Sequence, residues 1–409
     1  MRNGSSNGAL LSVAEVEAIF APLESARTLP PRAFVDPRFF EEERQAIFFG
    51  GWAALCLADF VPDVGDASPL NFLGAPLLVV RASESELRVF HNLCPYDQCP
   101  VLLEAVQKAS KLSSAYHGWE FDLAGKLTSA PYWMGAVSDG ADMVSHSSRD
   151  LQPVASGLFG KVLFVNVDGR AVQSFEEFIA PLRRRFGKLD FRNLDVGRDT
   201  NGARGISRFK WRGNWKTHHE NACINVYHES TVHMRYSVSD EVPRVTPDRQ
   251  KRYEEVVDGG LRGLAFSRQS VGDTYDSLGL PDLKTKQGEA VQDNTIVSLY
   301  PNLYCSLIGQ HLHLTIVTPN GPDEVEVMTA SYFDAAIAVA PEFSAVRGMV
   351  EAGWTRAGLE DAAIIEAIHS ARSSPVAAAG YYSPFWDRPH HSFSQQVARD
   401  LGLGPREDV

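Results

Sequence analysis

Between Trp52 and Val167 the chain is written in short strands and tight turns, with PLLVVRA, SELRVFHN and WEFDLAGKL as the clearest examples. The pattern on either side is different. Upstream, Asp36-Pro37 starts a helix, a capping side chain followed by proline in the first turn and then RFFEEERQAIFF. Downstream, FEEFIAPLRRRF predicts a helix near Phe175, and ARGISRFKW a strand leading into NWKTHHENACINVYHESTVH. HLHLTIVTP and VEVMTASYF follow as strands about the turn NGPD, and PEFSAVRGMVEAG and LEDAAIIEAIHSAR end the chain as helices. A β run caught between helical segments implies an α+β fold, with a small all-β module near the front of a larger domain. The expected divisions are an N-terminal helical segment at 1–50 packing on the larger domain, the β module at 51–169 and the larger domain at 170–409. Residues 245–292 are polar and without periodicity, and read as loops over a binding region.

Length allows this organisation, since 409 residues make two or three domains. The formal net charge of -12 and the absence of a basic stripe exclude a nucleic-acid binder. No stretch has the apolar length of a membrane helix, and the first residues have no continuous apolar region or cleavage site. The five cysteines, Cys56, Cys94, Cys99, Cys223 and Cys305, are odd in number and scattered, which argues against a disulfide framework and for a reducing cytoplasm.

The β module carries two segments, HNLCPYDQCP and SSAYHGWEFDLAGKL, that read as the halves of an iron–sulfur site with one ligand missing from each. A Rieske [2Fe–2S] centre takes two thiolates on one iron and two imidazoles on the other. Its usual string is C-x-H, a hairpin, then C-x-x-H; here the positions hold Cys94-Pro95-Tyr96 and Ser114-Ala115-Tyr116-His117. A serine hydroxyl stays protonated near neutral pH, and tyrosine is longer than histidine with a high pKa. Cys94 and His117 are therefore remnant ligands, Tyr96 and Ser114 replace the other two, and a [2Fe–2S] cluster is doubtful. His91, Cys94, Cys99 and His117 have atoms suited to zinc. The preferred reading makes the cysteines small packed residues and His91 a strand residue.

FFEEERQAIFFGGW, LRVFHNLCP, AYHGWEFDLAGKL, GLFGKVLFVN, NWKTHHENACINVYHESTVH, YPNLY and LEDAAIIEA, in this order, complete a resemblance. From Leu29 to Arg372 the chain resembles the catalytic α subunit of the Rieske non-haem iron aromatic ring-hydroxylating oxygenases. The resemblance implies a Rieske-like domain beside a helix-grip catalytic domain, an antiparallel sheet with helices, holding one mononuclear Fe(II). Its metal ligands match His228 and His233 of YHESTVH and Asp361 of GLEDAAII. On a straight helix the two rings of H-x4-H point apart, so the helix must end between them. Ile364, Ile365 and Ile368 place Asp361 on an apolar face, where a carboxylate needs a partner. That partner could be iron or a core arginine, and Glu360 is an alternative ligand. Two histidines and a carboxylate leave positions on Fe(II) for O2 and substrate.

In the family an acidic residue three positions before the first iron histidine links it to a neighbouring subunit's Rieske histidine. The position here is Asn225, which can hydrogen-bond but carries no charge. His218 shares the helical face of Asn221, Asn225 and His228 and is a candidate supporting or proton-transfer group, although a helix histidine bonded to water or backbone is the plainer reading. His311 and His313 alternate on a strand, as substrate contacts or strand-surface residues, and Trp211 and Trp215 read as core. The functional expectation is O2-dependent hydroxylation of a hydrophobic aromatic or alicyclic molecule. Electrons would come from a partner: a Rieske-competent α-type subunit in a homo- or hetero-oligomer built on trimers, with a ferredoxin or reductase. The alternatives are an Fe(II) enzyme drawing electrons from its substrate and a non-catalytic, α-like structural subunit.

Overall fold

The structure is a computed structural model that describes residues 9–404 apart from 200, 223, 225, 234–244 and 268–278. The chain forms two compact units, one of Phe49–Phe175 and the other of Met1–Phe48 with Glu176–Val409.

The smaller unit is built from nine strands: β1 (Ala53–Leu57), β2 (Ala67–Phe72), β3 (Ala75–Ser83), β4 (Glu86–His91), β5 (Leu112–Ser113), β6 (Glu120–Phe121), β7 (Leu127–Ser129), β8 (Ala155–Phe159) and β9 (Val162–Asn166). They pair antiparallel as three sheets, β1-β9-β8, β2-β3-β4 and β5-β6-β7. Leu78, Val80, Phe90, Trp119 and Phe121 form a core that also takes in Cys94. Two loops project from this core, one after β4 and one between β5 and β6, and they carry the four positions of the iron–sulfur motif.

The larger unit opens with α1 (Val13–Phe20), α2 (Arg32–Val35) and α3 (Pro37–Glu43). Asp36 caps α3 by accepting from the Arg38 amide, and Pro37 fills its first turn. The helix then widens into a π turn over Arg44–Phe49. After α4 (Phe175–Phe186), β10 (Leu194–Val196) and β11 (Ser207–Arg212) come α5 (Trp215–Ala222) and α6 (Glu229–Val232). The remaining strands are β12 (Glu254–Asp258), β13 (Leu261–Ser267), β14 (Asp293–Leu299), β15 (Leu303–Ile308), β16 (His311–Pro319) and β17 (Glu324–Asp334). Three helices follow, α7 (Ala335–Val339), α8 (Ser344–Arg372) and α9 (Arg388–Asp400). The sheet has eight strands in the order β10-β17-β16-β15-β14-β13-β12, with β11 also paired to β17.

Two expectations need correction. The stretch read as loops at 245–292 contains β12 and β13, fully paired into the sheet. Their signal is broken by Gly263 in mid-strand, where φ is +147° and a Cβ would run into the Ile296 carbonyl. The two C-terminal helical segments are one 29-residue helix, α8, that Gly353 does not interrupt. Its buried stripe is also narrower than the isoleucines suggested. Ile365 is buried, but Ile364 and Ile368 are 42% and 38% exposed, so only the fourth-residue step from Asp361 continues the inward face.

Helix α5 is buried on every side, from Trp215 through Glu220 without a break. Such a helix is stable only if each polar side chain has a partner. The Lys216 ammonium lies 2.5 Å from Glu43 of α3, both side chains fully buried, and the Trp215 indole donates to the same carboxylate at 2.9 Å. Phe34, Phe39 and Trp215 place ring faces 5.1–5.7 Å from the ammonium. Burial pushes Glu43 up and Lys216 down, and their pairing opposes both shifts. One turn on, Glu220 binds Arg372 of α8 at 3.1 Å and His390 of α9 at 3.2 Å, which holds its pKa at about 2 against burial. Arg372 also donates to Thr217.

Removing one member of a buried pair leaves the other charge uncompensated. Glu43→Gln is expected to destabilise the larger unit by roughly 3–5 kcal/mol, read as a lower urea midpoint. Glu43→Leu with Lys216→Met is expected to restore most of that loss.

Candidate functional site

The segment after α5 is broken into short pieces: a single 3-10 turn at Val226–His228, then α6, then an extended residue. His233 leaves the helix at φ -86° and ψ 109°. This break brings the two rings together, their centroids 5.2 Å apart. Asp361 of α8 points its Oδ1 between them, 3.4 Å from His228 Nε2 and 3.6 Å from His233 Nε2. Among the described residues this is the group of His, Cys, Asp and Glu whose ligand atoms converge, all within 4.8 Å of one another.

Glu360, the neighbour of Asp361, does not join that group. Its Oε2 accepts a hydrogen bond from His233 Nδ1 at 3.1 Å. With the proton held on Nδ1, the lone pair of His233 Nε2 faces Asp361 Oδ1, an acceptor facing an acceptor. Asp361 Oδ1 is buried and has no hydrogen-bond partner among the described residues. A cation between these atoms removes the conflict, and two imidazoles with one carboxylate are the donor set of non-haem Fe(II) centres. The residues present therefore fit a mononuclear iron, with His228, His233 and Asp361 as its ligands and Glu360 setting the tautomer of one of them.

The other candidates fall into place around this group. His218 is buried; its Nε2 donates to the Arg212 carbonyl at 3.3 Å, and its ring stacks on Trp211. Burial pushes its pKa down to about 4, while the carbonyl and the nearby Asp361 charge act the other way, so the ring is neutral near pH 7. The plainer reading of His218 thus matches the geometry. His219, which the spacing did not single out, donates to the Pro301 carbonyl and accepts from Ser298, both at 3.0 Å. Trp215 is core, as read, but Trp211 is only half-buried. Asn225 lies outside the described residues, as does Cys223.

His311 and His313 are not strand-surface residues: both are buried on β16 against Trp354 of α8. The Trp354 indole donates to His311 Nε2 at 2.9 Å. His313 stacks on Trp354 and bonds Ser331 at 2.9 Å and Thr329 at 3.0 Å. Burial holds their pKa values at about 4 and about 3, which keeps both rings neutral.

In the smaller unit the two loops bring Cys94, Tyr96, Ser114 and His117 to the same end of the core. Cys94 and Ser114 are buried, whereas Tyr96 is half exposed and stacks on Trp119 at 5.4 Å with the planes 12° apart. His117 Nδ1 donates to Asp97 at 2.5 Å. One thiol and one imidazole are half of what a Rieske cluster requires, so the residues present do not fit the cluster. Nor do His91, Cys94, Cys99 and His117 form a converging group of zinc ligands among the described residues.

Comparison with known proteins extends this picture. The family model "Ring hydroxylating alpha subunit (catalytic domain)" matches residues 201–402, and "Rieske [2Fe-2S] domain" matches residues 51–137. The chain is 29% identical to toluate 1,2-dioxygenase subunit alpha of Pseudomonas putida over 326 residues, 72% of this chain and 67% of that one. It is 24% identical to the chloroplastic choline monooxygenase of Arabidopsis thaliana, covering 93% and 85% of the two chains. A crystal structure of the quaternary ammonium Rieske monooxygenase CntA has the same fold, with a TM-score of 0.73 at 15% identity over 96% of this chain and 100% of that chain. Naphthalene 1,2-dioxygenase from Rhodococcus sp. gives 0.68 at 18% identity, covering 92% and 95%. The Rieske match lends no support to doubting the cluster; that doubt rests on Tyr96 and Ser114 alone. No helix among the described residues is long and apolar enough to cross a membrane.

The role given to Glu360 is testable apart from catalysis. Glu360→Ala frees the His233 tautomer, and Fe(II) affinity is expected to fall about 10–100-fold. Competition with a chromophoric chelator under anaerobic conditions measures it. An unchanged affinity would remove Glu360 from the centre.

Proposed function

Because this chain belongs to the α-subunit family of the Rieske non-haem iron ring-hydroxylating oxygenases, whose members use a mononuclear iron and a Rieske cluster, we propose that it is an O2-dependent oxygenase acting on a small organic molecule at an iron held by His228, His233 and Asp361. The observation that carries this reading is the convergence of the three ligand atoms about Asp361 Oδ1, a buried acceptor without a hydrogen bond among the described residues. Iron there would supply oxygen activation. The chain's own part is to orient and to exclude water. Glu360 fixes the His233 ring. Val226, two residues before His228, belongs to an apolar cluster with Leu264, Phe266 and Ile308, against which Trp354 packs.

That cluster supports a substrate with a hydrophobic aromatic or alicyclic body. The relatives named for toluate, choline and glycine betaine mark a wider range for the family, so the apolar side chains and not the kinship carry the choice. We further propose that electrons reach the iron from outside the chain, through a Rieske-competent partner subunit in a trimer-based oligomer fed by a ferredoxin or reductase. Two of the four cluster ligands are absent here, which is what supports an external donor. A reducing compartment, the cytoplasm, suits Cys94, Cys99 and Cys305, which form no disulfide among the described residues.

The test is turnover of an aromatic and alicyclic panel by the full chain loaded with Fe(II), with and without a Rieske-competent α subunit and reductase. Hydroxylated product that needs both additions, and that drops to background in Asp361→Ala, is the expected result. Product with O2 alone would assign the electrons to the substrate. Full activity of the complex with Asp361→Ala would make the chain a scaffold.

A further inference from the structure

Strand β16 and helix α8 hold between them a hydrogen-bond donor that no described residue accepts. The Trp354 indole can only donate, and it donates to His311 Nε2 at 2.9 Å. Nε2 is therefore the acceptor nitrogen of that ring, and the proton of the neutral imidazole sits on Nδ1. His311 is 4% exposed, and its Nδ1 is buried without a hydrogen-bond partner among the described residues. His313, two residues on, makes the contrast: its Nδ1 meets Ser331 at 2.9 Å and its Nε2 meets Thr329 at 3.0 Å. A buried N–H without an acceptor is costly, so one that persists calls for a partner.

The surroundings of His311 are apolar and continuous with the candidate iron site. Ile308 stands opposite it across the β15–β16 pair and clusters with Leu264, Phe266 and Val226, the last two residues before His228. Trp354 packs on that cluster and lies seven residues before Asp361 on α8, about 10 Å of helix rise. On another side the His311 ring is 6.0 Å from that of Phe333, which belongs with Val350 to a second apolar cluster. Arg347, the buried cation of α8, bonds the carbonyls of Arg198, Ile337 and Ala340, so its charge is already engaged. Burial keeps His311 neutral, with a pKa of about 4. The ring thus supplies a dipole and no charge.

We propose that His311 determines specificity by donating from Nδ1 to a neutral carbonyl oxygen of the substrate, which narrows the substrate class to hydrophobic ring compounds bearing a ketone. Trp354 is a positioning residue, since its indole holds the proton on Nδ1. A single donor in an apolar lining fixes the orientation of a ligand and rejects analogues that lack the acceptor, because the donor is then left unpaired. A carboxylate fits worse, as it brings a charge that a neutral ring does not compensate. A quaternary ammonium group offers nothing that Nδ1–H can donate to. The proposal rests on the oxygenase reading for the reaction, and on the His311–Trp354 geometry for the binding.

The test is anaerobic binding of matched pairs, indanone with indane and tetralone with tetralin, to the full chain loaded with Fe(II). Calorimetry gives the affinities, and isotope-edited infrared spectroscopy gives the carbonyl stretch of the bound ketone. Each ketone is expected to bind about tenfold more tightly than its hydrocarbon, with its carbonyl band below the position in an apolar solvent. His311→Phe keeps a flat ring without the donor, and is expected to abolish both the preference and the band shift while hydrocarbon affinity holds. Trp354→Phe releases the His311 tautomer and should reduce both in part. A native chain that binds ketone no more tightly than hydrocarbon, or binds it with an unshifted band, overturns the proposal. So does a shift that survives His311→Phe, or tighter binding of indane carboxylic acid than of indanone. Iron per chain is counted in the same samples. Band shift and ketone preference in a native chain that takes up no Fe(II) would remove the oxygenase reading and leave the donor assignment standing.

Discussion

The larger unit depends on a short helix that has no solvent face. From Trp215 to Glu220 every side chain of α5 is buried, yet four of the six are polar or charged beyond the tryptophan and threonine. The hydrophobic effect cannot hold such a segment; specific partners must. Each comes from a different element: Glu43 from α3, Arg372 from α8, His390 from α9, Ser298 from β14 and a carbonyl from the end of β11. Because these bonds are directional, they fix the rotation of α5 as well as its position. His228 follows six residues after α5 ends, so its ring inherits that setting. The Lys216–Glu43 pair has the highest stake, since neither charge has water to fall back on.

The candidate metal site combines this helix with a second, longer one. α8 presents Arg347, Val350, Trp354, Asp361 and Ile365 inward, at steps of three, four and seven residues. One carboxylate on that stripe is opposed by two imidazoles, and the carboxylate next to it holds one of the imidazoles by its far nitrogen. Asp361 Oδ1 and the lone pair of His233 Nε2 face each other across a small space, a conflict that a positive ion between them relieves.

Much of this was legible in the residues. The helix cap at Asp36, the helix FEEFIAPLRRRF and the strand pair about NGPD follow local rules, and the structure has them where the pattern placed them. The three candidate ligands are readable only through the ordered landmarks, because H-x4-H alone carries little information. What escaped is what depends on tertiary context. β12 is five residues with acidic ends and Gly263 interrupts β13, so only pairing along the sheet makes them strands. The apolar face of Asp361 was overdrawn, because a stripe one residue wide and a stripe two residues wide look alike in sequence until packing separates Ile365 from Ile364 and Ile368. Glu360 and Asp361 are chemically the same kind of residue, and only the direction of each side chain tells the ligand from its support.

The contact between His233 and Glu360 joins residues 127 positions apart in the chain. Seen this way, it works as a clasp on a long closed loop that includes six strands of the sheet and most of α8. The clasp ties together the two ends that carry His233 and the Glu360–Asp361 pair, while the stretch between is held by its own sheet pairing. Changes confined to the turns between those strands leave the ends in register.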